Sequence, residues 1–284
     1  MPEITPALYR AGSGEPVVLL HGFTGTWKHW RPVLGELVAR YEVIAPTLAG
    51  HHGGPAFEAD ELTLEAAADH LCGHLDDIGV GTAHLVGNSM GGALAIELAK
   101  RGRARSVVAL APGGGWEPGH AESQRLARFF ARTIKLSQAA APRAPQVMRR
   151  PGSRRLALRD VMRHGELVQP ADAVELLRDS LGCTVSDRVI TALQAGTPVL
   201  KELGQVSAPV LLAWPQHDRI LPLPLHSPRL RREIPGNEFR VLPGCGHVPM
   251  WDDSRLVVDT IVEWVDRHTP AAGDQPETLA ASTA

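Results

Sequence analysis

Ser89 is the residue with the most chemistry written around it. It sits in Gly87-Asn88-Ser89-Met90-Gly91-Gly92, after the apolar run Ala83-His84-Leu85-Val86 and before the helical pattern Ala93 to Lys100. A serine at a very tight strand-to-helix turn is held in a strained backbone conformation that aims its hydroxyl away from the sheet. The backbone two residues before and two after it converges there, so Gly87 and Gly91 meet a steric demand. The N-terminus of the following helix points free N–H groups towards the serine and favours developing negative charge. The plain alternative is a glycine-rich turn that happens to contain a serine, and the rest of the chain must discriminate.

A serine hydroxyl is a weak nucleophile at neutral pH and needs a base within reach, itself oriented by a carboxylate. Asp218 follows the apolar run ending at Trp214, and His247 follows the strand pattern ending at Leu242, inside Gly244-Cys245-Gly246-His247. If those runs are parallel strands, all three loops leave the same edge of one sheet. The chain has 13 histidines. His29, His70, His74, His164 and His268 fall on helical patterns, and His217, next to the acid, is badly placed to bridge to the serine. His51 and His52 are adjacent, which disfavours convergence on one metal, and no carboxylate stands at ligand spacing. An acyl-transfer site also needs two backbone N–H donors for an oxyanion. Met90, the residue after the serine, offers one, and Phe23, in the loop His21-Gly22-Phe23-Thr24-Gly25, offers the other.

These residues need a scaffold. Pro16–Leu20, Tyr41–Ala45, Ala83–Val86 and Ser106–Leu110 read as strands, with helices over 27–40 and 62–78 and after the serine. That alternation predicts an α/β fold with a mostly parallel central sheet and helices on both faces. Ala7–Arg10 adds an edge strand. From 113 to 205 the pattern is helical only (123–136, 154–164, 171–181, 186–194), which reads as an inserted helical lid over the carboxyl ends of the strands. Strands then resume at 208–214 and 238–242, with helices over 225–234 and 253–268, the last capped by Asp252 or Asp253. The domain reading is a first core part over 1–112, the lid over 113–205, a second core part over 206–268, and a disordered tail over 269–284, whose residues are small and polar.

The chain has 284 residues, 44% hydrophobic and 21% charged, with a net charge of -2, which does not suit a generic nucleic-acid binder. Its three cysteines are scattered and fit no disulfide framework or zinc motif. No apolar run could span a bilayer, and residues 1–6 lack a signal core. The expectation is a cytoplasmic protein without membrane or nucleic-acid partners, acting on a small molecule; a homodimer is compatible with the sequence. Eleven lysines and arginines crowd 125–163, from Arg125 to Arg163. They would either attract an anionic substrate or form a solvated helical face.

The loop at His21-Gly22-Phe23, the Gly-Asn-Ser-Met-Gly-Gly turn, the aspartate after a late strand and Gly-Cys-Gly-His-Val-Pro together resemble the α/β-hydrolase superfamily over roughly residues 7 to 268. The resemblance implies an α/β-hydrolase fold and a triad of Ser89, Asp218 and His247, with Phe23 and Met90 as oxyanion donors. It implies hydrolysis of a small carboxylic ester through an acyl-enzyme, with no metal or organic cofactor. The turn around Ser89 is also similar to that of carbon–carbon bond hydrolases acting on ring-cleavage products, although Gly22-Phe23-Thr24-Gly25-Thr26 departs from their glycine- and proline-rich first loop. A serine at the nucleophile position argues against the dehalogenase and epoxide-hydrolase branches, whose covalent ester needs a carboxylate nucleophile. A non-catalytic ligand receptor on the same fold is the reading from another class.

Overall fold

The computed structural model describes residues 2–269 except 120 and 198, so the expected tail lies almost wholly outside the described residues. The chain runs β1 (Glu3–Ile4), β2 (Leu8–Ala11), β3 (Pro16–Leu20), α1 (Arg31–Val38), β4 (Glu42–Pro46), α2 (Leu64–Asp77), β5 (Ala83–Asn88), α3 (Met90–Lys100) and β6 (Ala104–Leu110). Five helices follow: α4 (Glu122–Ala140), α5 (Ala144–Val147), α6 (Pro151–Leu158), α7 (Pro170–Leu181) and α8 (Ser186–Ala195). The last part is β7 (Val210–Pro215), α9 (Leu223–Glu233), β8 (Glu238–Leu242) and α10 (Ser254–Arg267). Among the described residues, no strand lies between β6 and β7, and no helix is long and apolar enough to cross a membrane.

The eight strands form one sheet in the order β1-β2-β4-β3-β5-β6-β7-β8. β1 and β2 pair antiparallel at one edge, and every pair from β4 to β8 is parallel. Strand alternation divides the apolar residues between two cores. Val18, Leu20, Leu85, Val107 and Leu212 face one side with Leu71 of α2, Leu94 of α3 and Leu230 of α9. Val17, Leu19, Val86, Val108 and Leu211 face the other with Val33 and Leu37 of α1 and Ile261 and Trp264 of α10. A sheet covered on both faces explains why its central strands are apolar throughout.

The order reverses between β3 and β5. From β3 the chain moves outward to β4, then crosses back over β3 to β5 on its other side. At such a switch point the flanking loops diverge and leave a crevice outside the carboxyl ends of the strands. The loop after β3 and the turn after β5 therefore face one another there.

Two expected helices differ in detail. The helix expected over 27–40 begins as a 3-10 turn, Trp27–Trp30, capped by the Thr26 hydroxyl, and becomes α-helical at Arg31 with Pro32 in its first turn. The helix expected over 154–164 stops at Leu158, because the Asp252 carboxylate accepts the N–H groups of Arg163 at 2.9 Å and His164 at 2.7 Å and draws the chain off the helical path. Asp253 caps α10 by accepting the Leu256 N–H at 2.9 Å, which leaves Asp252 for this second task.

Candidate active site

Ser89 lies between the last residue of β5 and the first of α3, at φ 56° and ψ −116°. A non-glycine residue in that region is strained, and such strain persists only where the surroundings over-determine it. The surroundings here are backbone against backbone. A Cβ added to Gly87 would lie 2.1 Å from the Gly91 carbonyl oxygen, and one added to Gly91 would lie 2.1 Å from the Leu20 carbonyl oxygen. The Ser89 N–H donates to the Leu110 carbonyl at 2.9 Å, and its own carbonyl accepts from Ala93 and Gly113. The turn is thus bound into α3 and the end of β6. The Ser89 hydroxyl itself forms no hydrogen bond with a described residue.

Asp218 and His247 sit in the loops after β7 and β8, both buried, and they meet: His247 Nδ1 lies 2.7 Å from Asp218 Oδ2. Asp218 Oδ1 accepts the N–H groups of Ile220 at 2.9 Å and Leu221 at 2.8 Å. With one oxygen on two amides and the other on the ring, the carboxylate has little freedom to rotate. The two loops are also tied by their backbones, Gln216 N–H to the Leu242 carbonyl and His217 N–H to the Cys245 carbonyl, each at 2.9 Å. His217 is exposed and points its backbone, not its ring, into this arrangement.

Three positioning contacts escaped the sequence reading. The Asn88 side-chain amide donates to the carbonyls of Leu110 at 3.2 Å and His247 at 2.9 Å, which pins the histidine loop to the strand that carries Ser89. Asp252 holds the same loop from the other side by accepting the Gly246 N–H at 2.7 Å. The third is His21. Its ring is fully buried, with Nδ1 2.8 Å from the Gly22 carbonyl and Nε2 accepting the Leu48 N–H at 2.9 Å. It is a neutral bracket between the loops after β3 and β4. The only sequence signals were an asparagine and a histidine beside residues already singled out.

The loop after β3 lies against the serine: a Cβ added to Gly22 would be 3.2 Å from Ser89 Cβ. The backbone N–H groups of Phe23 and Met90 donate to no turn, loop or side-chain acceptor among the described residues. The Phe23 ring meets Phe130 of α4 edge-on at 5.0 Å, so the helical segment closes over this loop. Asp179 of α7, 1% exposed, reinforces the contact by accepting from the Thr26 hydroxyl at 3.0 Å and pairing with Lys28 at 3.3 Å. Between the segment and the sheet lies a cavity of about 100 Å³, in which Ser89 and Met90 are joined by Phe23, Trp116, Leu126 and Phe130. Among the described residues, no charged side chain lines it. Arg125 is turned away onto Glu122 and the Ile220 carbonyl, and the buried Arg154 is spent on the carbonyls of Met148, Arg149 and Glu166.

His51 and His52 diverge. The His51 ring stacks edge-on at 4.9 Å from His21, while His52 Nε2 is 4.0 Å from Asp179. Burial holds His21 well below the usual imidazole range, with His51 adding to the effect. Burial likewise brings His51 to about 4, and burial with the neighbouring His51 and His247 brings His29 to about 4. His29 and His51 therefore stay mostly neutral in the folded chain from about pH 5 upwards, and His21 is shifted in the same direction, whereas the unfolded chain takes up protons as pH falls through about 6.5. The stability contributed by these neutral histidines is fully present above about pH 6.5 and is lost as pH falls towards 4, by up to about 1.4 kcal/mol per pH unit each for His29 and His51. Thermal unfolding should show a clearly lower Tm at pH 5 than at pH 7. An unchanged Tm over that interval would contradict the buried neutral state.

A strained serine at the switch point of this sheet, with a buried imidazole–carboxylate pair on the same edge, defines a hydrolase scaffold. The sequence comparison gives the family: residues 17–260 match the model of the alpha/beta hydrolase family, and the chain belongs to it. Among its relatives, an epoxide hydrolase, EphH, of Mycobacterium tuberculosis is 31% identical over 74% of this chain and 98% of its own length. A 2-hydroxy-6-oxo-6-phenylhexa-2,4-dienoate hydrolase of Burkholderia cepacia is 29% identical over 88% of each chain. A solved esterase of Thermogutta terrifontis shares the fold with a TM-score of 0.70 at 22% identity, over 95% of this chain and all of that one.

Proposed function

We propose that the chain is a serine hydrolase that cleaves small carboxylic esters with uncharged acyl groups, using Ser89, His247 and Asp218. The observation that carries this reading is the strained serine opening onto a cavity without charge, beside an imidazole already oriented by a carboxylate. With Asp218 accepting from Nδ1, His247 presents an unprotonated Nε2 as the base. The Ser89 hydroxyl and Nε2 are not hydrogen-bonded in the free chain, and on this reading substrate binding brings them into hydrogen-bond reach, as is common for such sites. Ser89 Oγ attacks the acyl carbon and His247 takes its proton. The Phe23 and Met90 N–H groups then receive the oxyanion, and His247 protonates the departing alcohol. Water, deprotonated by the same ring, releases the acid from Ser89. The helical segment between β6 and β7 acts as the lid that keeps bulk water from the acyl pocket.

The identity to the dienoate hydrolase favours carbon–carbon bond cleavage as a second reading. A dienoate is a carboxylate, however, and a cavity without a cationic side chain would bury that charge unpaired. The epoxide hydrolase relative raises a third chemistry, but a carboxylate nucleophile is missing at position 89.

A panel of p-nitrophenyl esters tests the assignment. Butyrate and hexanoate esters should be turned over roughly 100-fold faster than a hemisuccinate ester of similar length, because the latter carries a charge into an apolar pocket. Equal rates would remove the pocket from the reading. A flat, near-zero response would transfer the assignment to the carbon–carbon substrates.

A further inference from the structure

A second concavity lies on the outer side of the helical segment, where α6 and the turn after it meet the loop following β7. Its wall carries the guanidinium groups of Arg155, Arg159, Arg163 and Arg219, together with His217 and Met162, around a volume of about 320 Å³. Among the described residues, no acidic side chain lines it. Among the described residues, Arg155 and Arg163 have no carboxylate within 4 Å, and Arg159 and Arg219 share one, Asp160, at 3.9 Å from each. That distance is beyond a hydrogen bond, so the four forks keep nearly all of their donors unengaged.

The positions of these groups are fixed by backbone. Arg155 and Arg159 are four residues apart and stand on one side of the end of α6. The N–H of Arg163 is held by the Asp252 carboxylate at 2.9 Å, and Met162, 4% exposed, forms the floor. Arg219 follows Asp218 directly, in the loop whose backbone is tied to the Cys245 carbonyl. Four like charges around one concavity repel one another, and a multivalent anion relieves that repulsion. A planar guanidinium grips a phosphoryl group through two parallel N–H bonds, which an ammonium cannot do. Among the described residues its only ring is the His217 imidazole, with no Phe, Tyr or Trp face to hold a nucleobase. The volume is at the lower end of small-ligand pockets, roughly 300–1,000 Å³.

We propose that this concavity binds a compact ligand with two linked phosphoryl groups. The site is separate from the Ser89 cavity and independent of the ester reading.

Isothermal titration of the full chain with inorganic pyrophosphate in about 0.15 M salt, where exposed long-range attraction is largely screened, tests the proposal. Saturable binding at one site per chain is expected, with affinity reduced roughly tenfold or more in R155Q/R159Q and also in R219Q, which removes a fork from a different element. The control is R128Q/R132Q, which removes two exposed α4 arginines outside the concavity. It should bind as the parent does. Pyrophosphate should also raise the Tm of the parent and the control but not of the other two variants. Absence of binding by the parent, or equal losses in R155Q/R159Q and R128Q/R132Q, would reduce the arginines to a solvated charged face and overturn the proposal.

Discussion

Replacing Ser89 with alanine should lower kcat/KM for p-nitrophenyl butyrate by roughly 10⁴-fold or more, and abolish labelling by a fluorophosphonate probe, with the fold intact. The separation of activity from stability follows from the geometry. The hydroxyl forms no hydrogen bond with a described residue, so its removal leaves no buried partner unpaired. Alanine inherits the same φ of 56°, and the strain is neither relieved nor increased. Tm should stay close to that of the parent. Retained labelling in Ser89→Ala would place the nucleophile elsewhere. Absence of labelling in the parent, with tight ligand binding, would favour a receptor built on the same fold.

The largest expected loss of stability comes from a single methyl group. Gly91→Ala puts a Cβ 2.1 Å from the Leu20 oxygen and 2.5 Å from the Leu20 carbonyl carbon, and Gly87→Ala puts one 2.1 Å from the Gly91 oxygen. Neither obstacle is a flexible side chain. Both are backbone in or beside central strands, so relief would require β3 and β5 to part from α3. Either variant should lose about 4 kcal/mol or more, or fail to accumulate as folded protein. Gly73→Ala is the matched control: it lies in α2 with nothing within 4 Å of the added Cβ. There the same methyl group should stabilise by about 0.5–1 kcal/mol, since alanine is the better helix former. Chemical denaturation of the three variants reads the contrast directly. A Gly91→Ala protein with the Cm of the parent would mean that the turn is not sterically closed.

The fold was legible because its signals are repeated. Five apolar runs too short for helices, separated by amphipathic patterns, have few arrangements other than a covered parallel sheet, and β8 was placed to the residue at Glu238–Leu242. Ser89, Asp218 and His247 stood out as candidates because each follows a strand pattern, and parallel strands send such loops to one edge, where the Asp218–His247 contact is found. What could not be read depends on three-dimensional partners. Nothing in the spacing says that Asp252 would hold Gly246, Arg163 and His164, so the helix expected to 164 ends at 158. His21 illustrates the same limit: its two partners, Gly22 and Leu48, become neighbours only because β3 and β4 lie side by side. The arginines of the inserted segment gave one undivided signal in sequence. In the structure they separate into groups closely ion-paired (Arg125), bound to carbonyls (Arg154), and left with most of their donors unengaged (Arg155, Arg159, Arg163).

The insertion between β6 and β7 has a consequence for synthesis. β6 pairs with β5 on one side and β7 on the other, and its residues Ser106–Leu110 are buried. About 100 residues separate Leu110 from Val210. At ribosomal speeds of roughly 5–20 residues per second, the growing chain spends some 5–20 seconds with that strand's outer edge bare. A naked apolar edge is a template for the wrong neighbour. Expression yield should therefore depend on how fast translation crosses codons 111–209, and slow codons there should cost soluble protein even though they leave every finished contact unchanged.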